Sequence, residues 1–403
     1  MSVNVKLGNN IINDVSKVKL EDATTSGTYH TFNNLLNNTV NFIADSVDYS
    51  IVSVKSGVNI TAPATPLKSG YVFKGWGLTD SATSYISFPY APSSAELNLY
   101  AVYQAASKAI VEGLGSSSPS SVSFNVDSSF DFNFEEVTIG NDVFIKIPTM
   151  YRKVDTVVSS QITKFTISNA KIDNTYEPYP CFLDESGNLL EYVLIGKYWI
   201  SSTTVANSVN ASAASMTIGT GRTLCQAKTD ASYQGLLYDW QIHKLWQDLI
   251  ICAKQTVNTN SGVAWTTDEL GIYWGTNGCW IDGLTYNSGS LAVSYKPSAY
   301  TDNAESSTTD YVSIGYSIPS ATNGANIVKL GYDSNNPFVN MPSAASGSTY
   351  TTYYCDILYT SSGNHPFYCG VGLADALYGA FYSYFNGSWS NTSACRLCLR
   401  PIA

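Results

Sequence analysis

The segment that indicates most about the fold covers residues 365–401 and reads HPFYCGVGLADALYGAFYSYFNGSWSNTSACRLCLRP. Glycines and aromatic residues alternate there with Ser, Asn and Thr, up to the closing pair Arg396 and Arg400. Tyr offers a large amphipathic contact area with few rotatable bonds, while Ser, Asn and Gly adapt their hydrogen bonding to a partner. The segment therefore predicts a rigid framework that displays aromatic and short polar side chains for binding.

Residues 366–395 also lack four residue types, namely Lys, Gln, Glu and Met. The whole chain holds 17 Lys, 10 Glu, 7 Gln and 4 Met among 403 residues. By chance, about three of these would fall in a segment of this length. If the two adenines of AAC, a codon for Asn, are replaced by any base, the resulting NNC codons cannot encode these four residue types or Trp. The deficit fits adenine-directed codon randomisation, with Trp389 as a fixed position.

On these residues the segment resembles the terminal cassette of variable proteins that diversity-generating retroelements rewrite. In that family a C-type-lectin-like fold displays the variable positions, and in phage tails it binds a host receptor. The resemblance implies a variable cassette at about 366–395, with framework positions at Gly370, Gly372, Gly379, Phe381, Trp389, Arg396 and Leu397. The implied ligand-binding display residues are Tyr368, Val371, Leu373, Asp375, Leu377, Tyr378, Ser383, Tyr384, Asn386, Gly387, Asn391 and Ser393.

Residues 122–403 as a whole resemble phage tail or tail-fibre proteins with a C-type-lectin-like end. The resemblance rests on VFIKIPTMYRKV at 143–154, YEPYPCFLDESG at 176–187 and LIGKYWIS at 194–201. Apolar residues at three- and four-residue steps also predict one amphipathic helix. These residues are Tyr238, Ile242, Leu245, Leu249 and Cys252. We expect a mostly β chain, α+β at the C-terminus, with one or two helices and long loops.

GYVFKGW, at residues 70–76, indicates a second, smaller module. Tyr71, Phe73 and, after a glycine kink, Trp76 can supply an aromatic core. Together with ITAP at 60–63, Pro66 and LYA at 99–101, this motif resembles the internalin-type B repeat. That family is a β-grasp-like spacer or adhesion module of bacterial and phage surface proteins.

These segments predict four regions. Residues 1–47 form a small β segment that we expect to pack on a neighbour or on copies of itself, since it buries little surface alone. Residues 48–104 form the B-repeat-like β module. Residues 105–121, which end in Gly, Ser and Pro, form a linker. Residues 122–403 form the C-type-lectin-like ligand-binding domain.

Charge and hydropathy exclude several classes of partner. Only 13% of residues are charged, the formal net charge is −10 and the pI is about 4.7. Nucleic acid is disfavoured, because phosphate binding needs clustered Lys and Arg. No apolar run approaches the roughly 18 residues that span a bilayer, and the N-terminal residues lack a signal-peptide pattern. A virion location, in a tail fibre or tip that becomes extracellular after release, requires neither a membrane span nor a signal peptide.

Residues that could carry chemistry are sparse. His30, His243 and His365 lie far apart, and His243 is interpreted as a partly exposed surface residue or a packing residue. Cys395 and Cys398 form a CxxC without the second pair that zinc would need. Structural thiols are favoured for the eight cysteines, and a disulfide of Cys369 or Cys395, or a metal site, are the alternatives. The Glu-Pro-Asn and Trp-Asn-Asp calcium motifs of C-type lectins are absent.

The expected function is that of a phage-type receptor-binding protein, without catalytic residues, cofactor or metal. The expected partners are a host-surface protein or glycan receptor and other tail proteins, and a homotrimeric tip is an open alternative. A cell-surface adhesin with the same variable display is the second interpretation. A formylglycine-generating-enzyme-like oxidoreductase, which shares the fold class but depends on a reactive cysteine pair, is the third.

Overall fold

A computed structural model describes most of the chain. The described residues are 5–7, 10–12, 17–19, 29–31, 37–55, 57–201, 204–205, 214–259, 267–274, 278–301, 310–346, 352–369, 380–385, 387–388 and 391–402. The chain divides into two compact units, Met1–Ala106 and Ser107–Ala403. The described residues are mostly β with two α-helices, which confirms the predicted fold class.

The first unit is built from short strands. They are β1 Val5–Leu7, β2 Asn10–Ile12, β3 Lys17–Lys19, β4 Tyr29–Thr31, β5 Asn37–Ala44, β6 Val47–Lys55, β7 Tyr71–Gly77 and β8 Glu96–Ala105. Strands β1 and β2 pair with each other, as do β3 and β4. The other four form one sheet in the order β6-β5-β8-β7, in which β5 and β8 are parallel.

The GYVFKGW motif shapes the core of this sheet. A bulge between Phe73 and Gly75 brings Phe73 and Trp76 onto one face, where their ring centroids lie 5.5 Å apart. Gly75 has a φ of +148°, and a Cβ there would lie 2.7 Å from the Tyr85 ring. Trp76 is 2% exposed, whereas Tyr71 is 42% exposed. The predicted aromatic core is therefore right for Phe73 and Trp76 and wrong for Tyr71.

The module also begins earlier than predicted. A boundary between residues 47 and 48 would cut the β5–β6 hairpin, and it would remove Val40 and Phe42, which are fully buried in the same core. The polar residues beside Val40 also belong to the module, since Asn38 and Asn41 are hydrogen-bonded within it.

The second unit contains both helices. Its first strands are β9 Lys108–Glu112, β10 Ser123–Val126, β11 Glu135–Ile139, β12 Asp142–Pro148, β13 Tyr151–Val158, β14 Gln161–Ser168, β15 Glu177–Pro178, β16 Tyr192–Gly196, β17 Ile200–Ser201 and β18 Thr204–Val205. There follow α1 Ile218–Gln226, β19 Tyr233–Leu237, α2 Trp240–Lys254, β20 Cys279–Asn287, β21 Ser290–Ser294, β22 Tyr311–Ser313, β23 Ala325–Leu330, β24 Pro342–Ala345, β25 Ile357–Thr360, β26 Asn364–Cys369, β27 Ser383–Phe385 and β28 Leu397–Pro401.

Three sheets organise these strands. One has the order β10-β9-β14-β13-β15, and a second has the order β11-β12-β16-β28-β19. The largest sheet has eight strands in the order β22-β21-β20-β26-β27-β25-β23-β24. Its pairs are antiparallel except for β25 with β27, which are parallel. Strands β17 and β18 pair only with each other.

Strand β9 contradicts the predicted linker at residues 105–121. It lies between β10 and β14, and Ala109 and Val111 are fully buried. The Gly, Ser and Pro residues that suggested a linker form the turn after β9, with a 3-10 helix at Pro119–Ser121. The unit boundary falls at Ala106 and Ser107, so the second unit begins before the predicted residue 122.

Helix α2 confirms the predicted helix and corrects its character. Asp239 caps it, since its Oδ1 accepts a hydrogen bond of 2.9 Å from the Ile242 amide, and it ends at Gln255 with a φ of 50°. Every residue from Trp240 to Cys252 is buried, so the polar face of the helix is covered as well as its apolar face. It packs against β20 and the turn at Pro180–Phe182, in the middle of the main core.

His243 lies on this helix and is a packing residue. It is 1% exposed and stacks on Trp246 with ring centroids 5.5 Å apart, so the surface interpretation is wrong. Burial, with the neighbouring Lys244 charge, lowers the pKa of His243 to about 3. The ring is therefore neutral at physiological pH.

No helix among the described residues is long and apolar enough to cross a membrane.

Candidate ligand-binding surface

Four aromatic side chains form a continuous row across the large sheet, which we call the tyrosine row: Trp280, Tyr368, Tyr384 and Tyr359. They lie on β20, β26, β27 and β25, which are adjacent strands. Successive ring centroids are 5.5, 5.6 and 5.8 Å apart. The three tyrosines are half-buried, and Trp280 is 2% exposed. The row thus presents partly exposed rings on a rigid sheet.

Strand register places the row on one face. Trp280 is opposite Tyr368, Tyr368 is opposite Tyr384, and Tyr384 is opposite Tyr359. Directly opposite residues point to the same side of a sheet, and residues next to them in sequence point to the other side. The neighbours on the other face are buried in the main core, and they include Ile281, Phe367, Leu358 and Phe385. The main core therefore fixes these strands from one side. On the side of the row, Trp280 is buried in a second core cluster and Tyr368 packs against it, whereas Tyr384 and Tyr359 lie outside that cluster.

Two glycines make room for the outermost tyrosines. Gly324 has a φ of +79°, and a Cβ there would come within 2.6 Å of the Tyr359 ring. A Cβ on Gly278 would likewise collide with the Tyr368 phenol. Both rings thus lie against bare backbone, which holds them in place while leaving part of each ring accessible.

The row carries no formal charge. The Tyr368 hydroxyl interacts with the side chain of Ser393, whose Oγ donates a hydrogen bond of 2.9 Å to the Gly278 carbonyl. Burial raises the pKa of Tyr368, so its phenol stays protonated at neutral pH. Hydroxyls that both donate and accept, next to aromatic area, suit recognition of a neutral or mixed surface.

The structure joins some of the predicted display residues and separates others. Tyr368 and Tyr384 are neighbours in the row, Ser393 adjoins Tyr368, and Asn391 is exposed. Ser393 also pairs with Met216 through two backbone hydrogen bonds of 3.0 Å. Val371, Leu373, Asp375, Leu377, Tyr378 and Asn386 lie outside the described residues, as do the predicted framework residues Gly370, Gly372, Gly379 and Trp389.

Ser383 is a correction. It is 2% exposed, and its Oγ donates to the Phe381 carbonyl at 3.1 Å, so it faces the core rather than a ligand. The physical reason is strand alternation: Ser383 precedes Tyr384 in β27, and two consecutive residues cannot both face outward. Gly387 is buried as well, with its carbonyl 2.7 Å from His365 Nδ1. It acts as an anchor for the chain after β27 and is not displayed.

The described framework residues are buried, as a framework requires. Phe381 is 3% exposed, and Arg396 and Leu397 are fully buried. The Arg396 guanidinium lies between the rings of Trp199 and Trp274, 4.2 and 4.6 Å from their centroids. It donates to the carbonyls of Gly196, Lys197 and Tyr273. A cation held by two indoles and three carbonyls fixes the segment that leads into β28.

Sequence reasoning missed Trp280 and Tyr359 as members of the row. Both lie outside residues 366–395, and they join the row through pairings with β26 and β27 that are remote in sequence. The alternation in ILYT at 357–360 indicates a strand, but nothing local shows that this strand pairs in parallel with β27. Only the fold could reveal the complete row.

Cysteines and acidic side chains are the remaining candidate groups for chemistry. All eight cysteines are buried thiols. Cys395 and Cys398 belong to different core clusters, as expected for strand residues three apart. Burial raises the pKa of both thiols. Within the described ranges, no group of three or more His, Cys, Asp or Glu side chains could hold a metal ion.

Comparison with known families identifies one part of the chain. A family model for the Listeria-Bacteroides repeat domain matches residues 39–102. This match covers β5 to β8 and places a repeat module there, beginning at 39 rather than at 48. No curated protein is significantly similar to the chain.

Proposed function

We propose that the chain is a receptor-binding protein of the phage-tail type, which recognises a host-surface ligand through the tyrosine row and the adjoining cassette at residues 366–395. The observation that carries this proposal is the row itself. Three half-buried tyrosine rings in an uncharged line, with the buried Trp280 at one end, are the kind of surface that supplies binding energy at low conformational cost.

The position of the cassette relative to the row supports the proposal. Strand β26 leads into residues 370–379, and β27 follows them, so the chain on both sides of this segment contributes to the row through Tyr368 and Tyr384. The described framework residues of the cassette are buried. A variable segment inserted between two fixed strands could change without disturbing the core below. This arrangement suits a C-type-lectin-like variable protein of a diversity-generating retroelement.

The chemistry of the thiols favours binding over catalysis. An oxidoreductase of the formylglycine-generating type needs a reactive cysteine, and reactive cysteines have a lowered pKa and some exposure. Here burial raises the pKa of Cys279 and Cys395, both close to the row. These thiols are poor nucleophiles in the folded chain.

The repeat module fits a spacer or adhesion unit that presents the second unit to a ligand. Internalin-type B repeats serve as such units. The proposal further places the chain in a virion tail tip, as a homotrimer with other tail proteins as partners. A cell-surface adhesin with the same display is the alternative, since Listeria-Bacteroides repeats also suit that role.

The test is sequence variation in a natural population carrying this gene. We expect substitutions to concentrate in residues 366–395, including Tyr368 and Tyr384. Tyr359 and Trp280, which share the row but lie outside the cassette, should not vary. A nearby reverse transcriptase gene with a near-copy of the cassette is expected too. Substitutions spread evenly over residues 107–403 would contradict the proposal. Neighbouring tail-assembly genes would favour the phage over the adhesin.

A further inference from the structure

Two cysteines face each other directly across the strands that begin the tyrosine row. Cys279 on β20 and Cys369 on β26 are register partners, one position away from the pair Trp280 and Tyr368. Cys279 is fully buried and Cys369 is 1% exposed. Both side chains lie in the main core, on the face opposite the row, so their Cβ atoms point to the same side of the sheet.

The backbone spacing at this position suits a disulfide. The Trp280 amide donates to the Ala394 carbonyl at 3.1 Å, so it points away from β26. The backbone N–H and C=O groups of successive residues point to opposite sides of a strand, so those of Cys279 point toward β26. Cys279 and Cys369 are therefore a hydrogen-bonded pair. Such pairs have a Cα separation of about 5.5 Å, within the range of roughly 4.4–6.8 Å that disulfides require. Their Cβ atoms, about 5.5 Å apart, must approach to about 4 Å when the bond forms.

We propose that Cys279 and Cys369 form an oxidative cross-link site, which a low-molecular-weight disulfide converts into a cross-strand disulfide. One cysteine thiolate attacks the small disulfide, forms a mixed disulfide and releases one small thiol. The second cysteine thiolate then attacks the protein sulfur of the mixed disulfide and releases the other small thiol. The two protein thiols are oxidised and the small disulfide is reduced to two thiols, which take up the two protons that the protein thiols lose.

The remaining cysteines are less well placed for such a link. Among the described strands, no other two cysteines are register partners. Cys395 and Cys398 point into different clusters, and Cys398 is opposite Ile195 and Leu236. The geometry therefore selects one pair out of eight thiols.

The cross-link would act directly on the base of the display. It would tie β26, which carries Tyr368, to β20, which carries Trp280, immediately before residues 370–379. It would also close the chain between residues 279 and 369, which restricts the unfolded state. Since burial raises the pKa of Cys279, its thiol is un-ionised in the folded chain. Exchange should be slow there and fast during folding or after local opening.

The experiment uses the full chain, unfolded in denaturant with reductant and refolded either in reductant or in a mixture of oxidised and reduced glutathione. Free thiols are counted, and a non-reducing peptide map identifies any link. We expect the oxidised sample to lose two of the eight thiols, to yield a peptide joining Cys279 to Cys369, and to melt roughly 5 °C or more above the reduced sample.

Matched variants separate this pair from general oxidation. Cys279→Ser and Cys369→Ser should each retain all their remaining thiols, whereas the control Cys355→Ser should still lose two. If a variant does not fold, the peptide map of the wild-type chain decides alone. Retention of all eight thiols in every glutathione mixture, or a link that joins another pair such as Cys225 and Cys395, would overturn the proposal.

Discussion

Helix α2 and the tyrosine row lie in the same unit and have opposite physical character. The helix is buried on all sides, yet it carries charged and polar side chains that are paired inside the core. The three tyrosines of the row are half-buried, Trp280 at its end is buried, and none of the four side chains is charged. Buried charges fix a structure because each is costly without its partner, whereas exposed rings can change with little effect on the fold. The contrast separates a framework from a display.

The clearest example of the framework is Asp248. Its Oδ1 accepts a hydrogen bond of 2.7 Å from Lys244, and its Oδ2 accepts one of 2.9 Å from the Tyr179 hydroxyl. Arg152 Nε lies 3.2 Å from the same Oδ2, as an ion pair without good hydrogen-bond alignment. Arg152 also donates to Asn340 at 2.9 Å. One carboxylate therefore contacts two buried cations and joins α2 to β13.

The largest effect should come from removing β9 from this framework. A fragment of residues 122–403 lacks the strand between β10 and β14 and exposes β14 as an edge, so we expect it to be unfolded or aggregated. The matched fragment 107–403 keeps β9 and should give a cooperative thermal transition. Circular dichroism and light scattering measure both. Equal folding of the two fragments would show that β9 is not part of the framework.

Loss of the Asp248 charge should be the next largest effect. Asp248→Asn keeps the shape but leaves Arg152 and Lys244 buried without a counter-ion, so the free energy of unfolding should fall by about 3–5 kcal/mol. Glu112→Gln is the control. Glu112 pairs with Lys164 at 3.0 Å on the surface, and its loss should cost less than about 1 kcal/mol. Urea denaturation compares the variants. Similar costs for the two changes would remove the distinction between buried and exposed charge.

Lys244 provides a pH-dependent test of the same network. Burial lowers its pKa to about 8 in the folded chain, against about 10.4 for an unfolded lysine. Between these values the unfolded chain binds more protons, so this group makes stability rise with pH from about 8 to about 10, by up to about 3 kcal/mol. Lys244→Met should abolish this rise. The measurement is the difference in unfolding free energy between wild type and variant across that range, and a constant difference would contradict it.

Replacement of row residues should have a smaller effect on stability. Tyr384→Ala removes a half-buried ring whose aromatic neighbours are Tyr359, Tyr368 and Tyr382, and we expect a loss of about 1–2 kcal/mol in unfolding free energy. Phe385→Ala, one residue away and fully buried, should cost about 3–5 kcal/mol. A Tyr384 variant as damaging as the Phe385 variant would assign the row to the core.

Local patterns predicted some of these elements. The apolar spacing from Ile242 to Cys252 predicted α2. The motif GYVFKGW predicted the strand β7 and the place of Phe73 and Trp76 in the core of its module. Local patterns failed where distant chain segments decide the environment. The polar residues of α2 look exposed in sequence, yet partners such as Arg152 and Tyr179 come from elsewhere in the chain. Residues 108–112 contain the apolar run Ala-Ile-Val that β9 uses, but the neighbouring Gly, Ser and Pro suggested a linker instead.

The candidate surface was predictable only in part, for the same reason. Tyr368 and Tyr384 could be proposed from the composition of the cassette. Tyr359 and Trp280 could not, since they join the row by pairing across the sheet. The choice of Ser383 ignored strand alternation, which sends it to the core when Tyr384 faces outward. Residue type therefore gives candidates, and register decides among them.

The central claim is that the tyrosine row binds the ligand, and cell binding tests it most directly. Fluorescently labelled full chain is applied to a panel of bacterial strains, and staining is measured by flow cytometry for wild type, Tyr359→Ala, Tyr384→Ala and Tyr85→Ala, a surface control in the first unit. We predict that wild type and Tyr85→Ala stain the same strains equally, while each row variant, still folded by its thermal transition, loses at least about tenfold in apparent affinity. Undiminished staining by both folded row variants would contradict the account.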